Sequence, residues 1–433
     1  MAALPIRYSQ AASILQEAIA AIRSGSVAMS EIVPLTCAAG RILAQPIRAD
    51  RDQPPFPRST RDGFACRASE ANTHSFLRLA ERLHAGQDPA AIGSGRVGPG
   101  ELWEIMTGAS APPGADAVFM VEHAEFSSSP ESASTHREIY HPNIRFVRLA
   151  APRTLVPGEN IVPAGSEAHS GDLLVPAGTC LAAAHIALAA QCGYPQLAVY
   201  PRPTVAILST GDELVSVEST PGPSQIRNSN APMLAALVAA AGGEPIILPA
   251  VPDQPAPLEV AIRNALDTDL LLITGGISAG RFDLVDQVLS AAGANFLFRG
   301  IAIQPGKPVA FGQIPRPGAL PLPFLALPGN PISSAVTFQL FAAPLLAAIG
   351  GNAHSRPRFA QAQLISAWRG KPGLTRFLPA FCDFAQPARV EIIAWQGSGD
   401  LAAFARSNCF AVIPDDTEEL PLGVQIQILL TET

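Results

Sequence analysis

Three stretches of this 433-residue chain combine glycine, hydroxyl and carboxylate side chains at spacings suited to an anion. They are Ser209-Thr210-Gly211-Asp212-Glu213, Thr274-Gly275-Gly276-Ile277-Ser278-Ala279-Gly280 and Leu327-Pro328-Gly329-Asn330-Pro331-Ile332-Ser333-Ser334. Glycine lets a backbone come close to a ligand, and N–H and hydroxyl groups cradle an oxyanion. Each stretch alone reads better as a tight strand-to-helix turn, since glycine-rich turns are common in α/β folds. Three of them favour a phosphate or oxyanion site. Acidic residues stand beside them: Asp212 and Glu213 within the first, Asp253 after EPIILPAV, and Asp283 after the second. Carboxylates alone repel an anion, so their placement implies a hard cation between them, most simply Mg2+ bridging to phosphate oxygens. Asp253 and Asp283 read equally as helix-capping residues, a role that does not exclude binding. Lys307, in Gln304-Pro305-Gly306-Lys307-Pro308, is either a solvated surface lysine or a cation positioned by its rigid flanks. The segments Arg58–Ala65 and Thr107–Val118 are, taken singly, turn chemistry. The eight dispersed histidines support no Ser/His/Asp or Cys/His pairing.

The elements that would position these groups follow from periodicity. From residue 203, apolar β-branched runs (TVAILS, EPIILPAV, DLLLITGG, PVAFGQI, PFLALPGNP) alternate with helical stretches (SNAPMLAALVAAAGG, PLEVAIRNAL, DLVDQVLSAAG, and about 332–349). That spacing predicts βαβ units, a parallel sheet and helices on both faces. The three glycine-bearing stretches then fall at the carboxyl ends of strands, where such sheets bind ligands. Residues 9–23 predict an amphipathic helix. From Phe64 to about Ala150 the pattern is short strands and turns, including LWEIMTG and ADAVFMVEHAEF, with the polar SSSPESASTHRE (127–138) as an exposed hairpin loop or insertion. The residues after 353 return to short strands, a small barrel or a sandwich.

Composition narrows the class. Hydrophobic residues make up 48% against 15% charged, which excludes disorder. The 42 prolines, roughly twice ordinary usage, exclude a long coiled coil or simple helical bundle. A net charge of −7 without a basic cluster argues against nucleic acid. No run reaches the ~18 apolar residues of a membrane span, the longest candidate being Ala231–Ala241, and the N-terminus lacks a secretion signal. Six scattered cysteines (37, 66, 180, 192, 382, 409) suggest neither zinc nor disulfides, and reduced thiols fit a cytoplasmic protein.

Taken in order, the motifs resemble the MoeA family, the molybdopterin molybdenumtransferases. They are SxxDGxA (Ser59 to Ala65), TGAxxPxGADAV (from Thr107), GENI (158–161), STGDEL (209–214), TGGxSxG (274–280), PGKP (305–308), LPGNPxS (327–333) and QGSG (396–399). The resemblance covers essentially the whole chain. It implies an elongated multidomain chain with a central doubly wound, MogA-like α/β domain at 203–352. Around it come a β-rich lid domain at 51–150, a β-rich linker domain from 1–50 and 151–202, and a small C-terminal β-barrel at 353–433. It also implies insertion of molybdate into adenylylated molybdopterin with Mg2+-dependent release of AMP, the last step of molybdenum cofactor synthesis. Such proteins are homodimers whose site lies where one subunit's Pro-rich loop meets its partner's α/β domain. Expected partners are a molybdopterin adenylyltransferase and molybdoenzyme apoproteins or their chaperones.

Carried over by motif, Asp62 and Thr107 belong to the lid side of the cleft. Asp62, Glu213, Asp253 and Asp283 match catalytic acidic positions, the last three as metal ligands. Ser209, Thr210, Gly211, Asp212, Gly275, Gly276, Ser278, Gly280, Pro328, Gly329, Asn330 and Pro331 match substrate-binding positions. Lys307, Ser333, Arg376 and Ser398 fall where such proteins hold molybdate. The chain departs from the family at Arg61 (usually methionine), Val162 (often basic), Glu167 (aspartate) and Gln304 (lysine or glutamine). Arg61 or Arg299 would compensate for a lost cation. The rival expectations are an adenylyltransferase acting one step earlier, against which the extra β domains argue, and a non-catalytic scaffold.

Overall fold

The computed structural model describes residues 5–25, 29–130, 144–276, 284–354 and 356–431. The expectations placed on Ser278, Gly280 and Asp283, and on residues 131–138 of the polar stretch, lie outside the described residues. The chain divides into two compact units: Met1–Gln45, Pro176–Ala187 and Pro195–Thr433 form the first, Pro46–Val175 and Leu188–Tyr194 the second. The first opens with helix α1 (Tyr8–Gly25), whose Ala11, Leu15, Ala18 and Ile19 recur at helical spacing and are buried.

The second unit is organised by a six-stranded sheet. Its strands are β1 (Gly63–Cys66), β2 (Leu77–Leu83), β3 (Glu101–Ile105), β4 (Ala117–Met120), β5 (Ala124–Ser127) and β6 (Phe146–Leu149). They lie in the order β4-β1-β3-β2-β6-β5, antiparallel except for β2 beside β3. Alternation along β1 and β3 sends Phe64 and Leu102 to one core and Ala65 and Trp103 to another. Phe64 anchors the first against Phe119 and Phe126, with ring centroids 5.4 and 5.9 Å away. Asp62-Gly63 looks like a turn signal in the sequence, but the glycine serves a close approach. A Cβ on Gly63 would stand 2.0 Å from the carbonyl oxygen of Phe119 on the neighbouring strand.

The α/β part of the first unit comprises β7 (Thr204–Ser209), α2 (Asn230–Ala240), β8 (Glu244–Ile247), α3 (Pro255–Asn264), β9 (Leu270–Thr274), α4 (Leu284–Ala291), β10 (Asn295–Arg299), β11 (Ala310–Arg316), β12 (Ala319–Leu327) and α5 (Pro331–Ile349). The sheet order is β8-β7-β9-β12-β11-β10. Strands β8, β7, β9 and β12 are parallel, as expected, but β11 runs antiparallel to both its neighbours. Only Pro317-Gly318 separates β11 from β12, and two residues make a hairpin, whereas a parallel crossover needs a dozen or more.

Strand residues alternate between two cores. Val205, Ile207, Leu270, Leu272, Leu325 and Leu327 pack with α1, α2 and α5. Ala206, Leu208, Leu271, Ile273, Phe324 and Ala326 pack with α3 and α4. Helix α5 is the longest apolar helix among the described residues, longer than the Ala231–Ala241 candidate, and most of it is buried as core. Its middle, Phe338–Ala342, is a π-helical turn.

The C-terminal part closes into a barrel of β13 (Phe359–Leu364), β14 (Thr375–Asp383), β15 (Arg389–Ile392), β16 (Cys409–Ile413) and β17 (Gln425–Leu430). The order β14-β15-β13-β17-β16 is completed by pairing of β16 with β14, so five strands leave no open edge. The short strand Ile303–Gln304 pairs with β14, Gln304 opposite Arg376.

Gly63→Ala forces β1 and β4 apart. We expect it to destabilise the second unit by about 2 kcal/mol or more, read as a lowered urea midpoint. An unchanged midpoint would show that the strand spacing yields easily.

Candidate active site

The three sequence motifs meet in register. Ser209 ends β7 opposite Thr274 at the end of β9, and Thr274 stands opposite Leu327 at the end of β12. Ser209 and Thr274 are buried because the apolar strands run fully into the core before the chain turns out. Beyond the ends, Thr210 N–H donates to Thr274 O (3.0 Å). Val251 N–H donates to Ser209 O (3.0 Å) and Gly211 N–H to Val251 O (3.2 Å), so the ladder continues past β8 and delivers Asp253 beside the first turn. Gly275 is required here: its φ is +95°, and a Cβ would stand 2.1 Å from Thr210 O.

The capping alternative for Asp253 is not realised. Helix α3 opens with Gln254 at its N-cap and Pro255 in its first turn. The Asp253 carboxylate instead accepts the Thr210 hydroxyl at 2.5 Å, while its backbone N–H donates to Asp212 Oδ1 at 3.1 Å. Glu213 folds back over Gly211, where a Cβ would meet its Oε2 at 2.7 Å. Asp212, Glu213 and Asp253 are all exposed, and so are Gly329 and Asn330, whereas Pro328 is buried.

Two asparagines that the sequence reading passed over tie this edge together. Asn230 Nδ2, at the start of α2, donates to Thr274 Oγ1 (2.9 Å) and to Gly329 O (2.7 Å). Asn228 Oδ1 accepts from the Ser209 hydroxyl (3.3 Å) and from Ala231 N–H (3.2 Å). Thr274 Oγ1 in turn lies 3.3 Å from Pro328 O, and Ser334 Oγ also donates to Pro328 O. The signal available was Ser229-Asn230 at a helix start, which reads as local capping rather than as a bridge to loops 44 and 99 residues away.

Around the barrel, a cavity of about 460 Å3 is lined by Gln304, Trp368, Arg376, Trp395 and Gln396, among others. Arg376 is only 8% exposed. Its Nε donates to Gln304 Oε1 (3.0 Å) and its Nη1 to Leu374 O (3.3 Å), with the Trp368 ring centroid 5.5 Å from the guanidinium carbon. Among the described residues no carboxylate pairs with it. A buried cation without a counterion suits an anionic ligand. Ser398 reaches the first edge through its backbone, its carbonyl accepting Ile332 N–H at 3.0 Å. Asp400 fixes that turn by accepting from Ala403 N–H and Gln396 N–H (3.0 Å each), which holds its carboxyl below the usual aspartate range. Ser333 is buried in the first turn of α5, and neither it, Ser398 nor the exposed Lys307 lines the cavity. Arg299 does not supply a replacement cation: Asp286 pairs with it at 2.6 Å and Phe296 stacks 3.7 Å away. Glu167 pairs with Arg58 at 2.9 Å, and Arg61 is exposed.

In the second unit Asp62 and Thr107 meet directly. Thr107 donates through its N–H (2.6 Å) and its hydroxyl (2.8 Å) to Asp62 Oδ1. These bonds, the backbone one foremost, hold the Asp62 carboxyl below its ordinary range.

Mg2+ takes one or two carboxylates from a protein and fills its shell with phosphate oxygens and water. Among the described residues no three His, Cys, Asp or Glu side chains form a metal cage. Thr210 Oγ1 stands 2.5 Å from Asp253 Oδ1, and Asp212 Oδ1 lies on the Asp253 backbone N–H, so of these three the Asp253 carboxylate is the oriented group that fits a metal shared with a bound phosphate.

An α/β sheet with three strand ends in register at its carboxyl edge, acidic side chains beside them and a buried guanidinium without a carboxylate partner among the described residues is suited to a polyanionic, phosphate-bearing ligand. The MoeA N-terminal region (domain I and II) matches residues 6–193, the probable molybdopterin binding domain 206–348, and the MoeA C-terminal region (domain IV) 361–431. The chain belongs to the MoeA family. It is 34% identical over 414 residues to the molybdopterin molybdenumtransferase of Nostoc sp., covering 92% of this chain and 88% of that one. With the enzyme of the same name from Bacillus subtilis it shares 31% over 407 residues, covering 93% and 90%. The crystal structure of the molybdopterin biosynthesis moeA protein from Pyrococcus horikoshii OT3 superposes with a TM-score of 0.78 at 27% identity, covering 99% of this chain and all of that one.

Asn230→Ala removes one buried and one partly buried hydrogen bond and is expected to cost about 2 kcal/mol, measured by urea unfolding of the first unit. A loss below about 0.5 kcal/mol would mean that the loops hold themselves. Asp62→Ala is expected to destabilise the second unit by about 1 kcal/mol near neutral pH. Because the folded carboxyl titrates lower than the unfolded one, that contribution is present above the ordinary aspartate value of about 3.9 and vanishes as pH falls through the folded value. The stability gap between wild type and variant therefore closes in acid, and a gap independent of pH would contradict the assignment.

Proposed function

We propose that this chain is a molybdopterin molybdenumtransferase, which inserts molybdate into adenylylated molybdopterin with Mg2+-dependent release of AMP. That is the final step of molybdenum cofactor biosynthesis. The observation that carries the reading is a juxtaposition within the first unit. A phosphate-type edge at Ser209, Thr274 and Leu327 is joined, through Ser398 and the turn that follows Gln396, to the cavity holding the uncompensated Arg376.

The turns after Ser209, Thr274 and Leu327 bind and orient the diphosphate. Asp253, fixed by Thr210 and by the Asp212 contact, would hold Mg2+ together with Glu213 and Asp283. Bound Mg2+ supplies charge neutralisation and polarises the phosphorus to be attacked. Arg376, already oriented by Gln304 and Leu374, presents its remaining N–H groups to a tetrahedral oxyanion. Lys307, Ser333 and Ser398, the other residues assigned to molybdate, do not line the Arg376 cavity, so Arg376 carries that assignment. Asp62 orders the Thr107 loop.

The working form is taken to be a cytoplasmic homodimer, supplied by an adenylyltransferase and delivering to molybdoenzyme apoproteins or their chaperones. Light scattering should then give twice the 45.1 kDa chain mass.

Incubating the protein with adenylylated molybdopterin, molybdate and Mg2+ should release AMP and yield cofactor that activates an apoenzyme. Asp253→Ala is expected to slow AMP release about 100-fold or more. Arg376→Ala should raise the molybdate concentration needed by about tenfold or more. AMP release that is undiminished in Asp253→Ala, or absent in the folded wild type, would overturn the reading.

A further inference from the structure

A second cavity, of about 590 Å3, lies in the first unit at the far ends of the two helices that frame the candidate site. Helix α2 starts at Asn230 on the strand-end edge, and its last turn, Leu237 and Ala240, walls this cavity. Helix α5 starts at the LPGNP turn, and Phe338, Ala343 and Leu346 continue the same wall. Phe338 and its lining neighbour Gln339 open the π-helical turn, a distortion that recurs at functional sites. The floor is thus apolar, and the volume falls within the ~300–1,000 Å3 of small-molecule sites.

The rim is not apolar. Arg41, Arg202, Arg356 and Arg358 line it together with His354, and no aspartate or glutamate does. In a chain with 29 lysines and arginines against 36 acidic residues, this is a local reversal of charge. Arg41 is engaged by Glu31 and by Tyr200 O. Arg202 and Arg356 are exposed and form no ion pair among the described residues. The carboxyl ends of α2 and α5 also reach the cavity, and cations near a helix carboxyl end need no ligand to explain them. Those ends are satisfied otherwise. Ala241 and Gly242 N–H cap α2, and Gly350 and Asn352 N–H cap α5. Arg23 serves the carbonyls just beyond α5, donating to Asn352 O (2.7 Å) and Ala353 O (3.0 Å).

We propose that this cavity is a second ligand site, for an amphipathic organic anion. An apolar or aromatic body lies on Leu237, Ala343 and Ala347, the partly exposed apolar residues of the wall, and a phosphate or carboxylate group is held by Arg202 and Arg356. Planar guanidinium groups suit that bidentate contact. The site is separate from the one read as binding molybdopterin and does not rest on that reading.

Cys180 lines the same cavity and reports on it. Cys180 and Cys37 are the exposed thiols, and the other four are buried. Burial pushes Cys66 and Cys409 up to about 12. Alkylation of the whole protein by iodoacetamide, mapped by peptide mass, therefore reads Cys180 against Cys37 as internal control. Millimolar 1-naphthyl phosphate is expected to slow Cys180 labelling about fivefold or more and to leave Cys37 unchanged. Arg202→Glu with Arg356→Glu should abolish the protection, and the milder Arg202→Gln with Arg356→Gln should weaken it. Arg376→Ala, in the other cavity, should retain it. Absence of protection in the wild type, or full protection in both double variants, overturns the site. Equal protection by inorganic phosphate or by 1-naphthol overturns the amphipathic class of ligand.

Discussion

The side chain of Asn230 holds the functional edge in one piece. The β ladder aligns Ser209, Thr274 and Leu327 but exerts no control over the chain once it has left the sheet. Asn230 spans that gap, with one hydrogen on the Thr274 hydroxyl and the other on the Gly329 carbonyl. The bond to Thr274 is buried, where its geometry is enforced most strongly, and the bond to Gly329 is partly buried. Asn228 does the same for Ser209, and Thr274 passes the restraint on to Pro328. The first residues beyond these strand ends are in this way fixed in advance, and a ligand meeting a preformed edge loses less entropy on binding.

Much of this was legible in the residues. Strand and helix alternation from 203 onward gave the α/β sheet, because buried strands and amphipathic helices leave different periods. Asp62 and Thr107 were singled out separately and proved to be hydrogen-bond partners. What escaped the sequence has one cause, dependence on partners distant in the chain. The antiparallel β11 follows from a two-residue connection inside an otherwise parallel pattern. Asp253 sits where a helix cap belongs, yet serves Thr210 across 43 residues. Arg299 looked available as a cation until Asp286 and Phe296 were seen around it. Gln304, a departure from lysine in some relatives, turns out to accept a hydrogen bond from Arg376, which an ammonium group cannot do.

The electrostatic plan follows from scarcity. Several cations near the surface are committed: Arg41 to Glu31, Arg58 to Glu167, Arg148 to Glu125, Arg369 to Glu419. Arg376 is the contrast, being buried and held by neutral acceptors and an aromatic face. Neutral neighbours orient a guanidinium without cancelling its charge, so its attraction for an oxyanion survives desolvation.

The π-helical turn inside α5 bears on how this chain can change length. Such a turn holds one residue more than a regular helix would. Upstream of it, Ile332 and Ser334 are set for the strand-end edge, and downstream Leu345 and Leu346 are set for the core. Deleting any one residue between Phe338 and Ala342 would leave an unbroken and more regular helix. Because the turn already absorbs the extra residue, the two halves would keep the directions they now have. Deleting a residue from the regular turns on either side would instead rotate one half against the other by about 100°. Among related chains, a one-residue gap in this helix should therefore fall at the irregular turn rather than elsewhere along it.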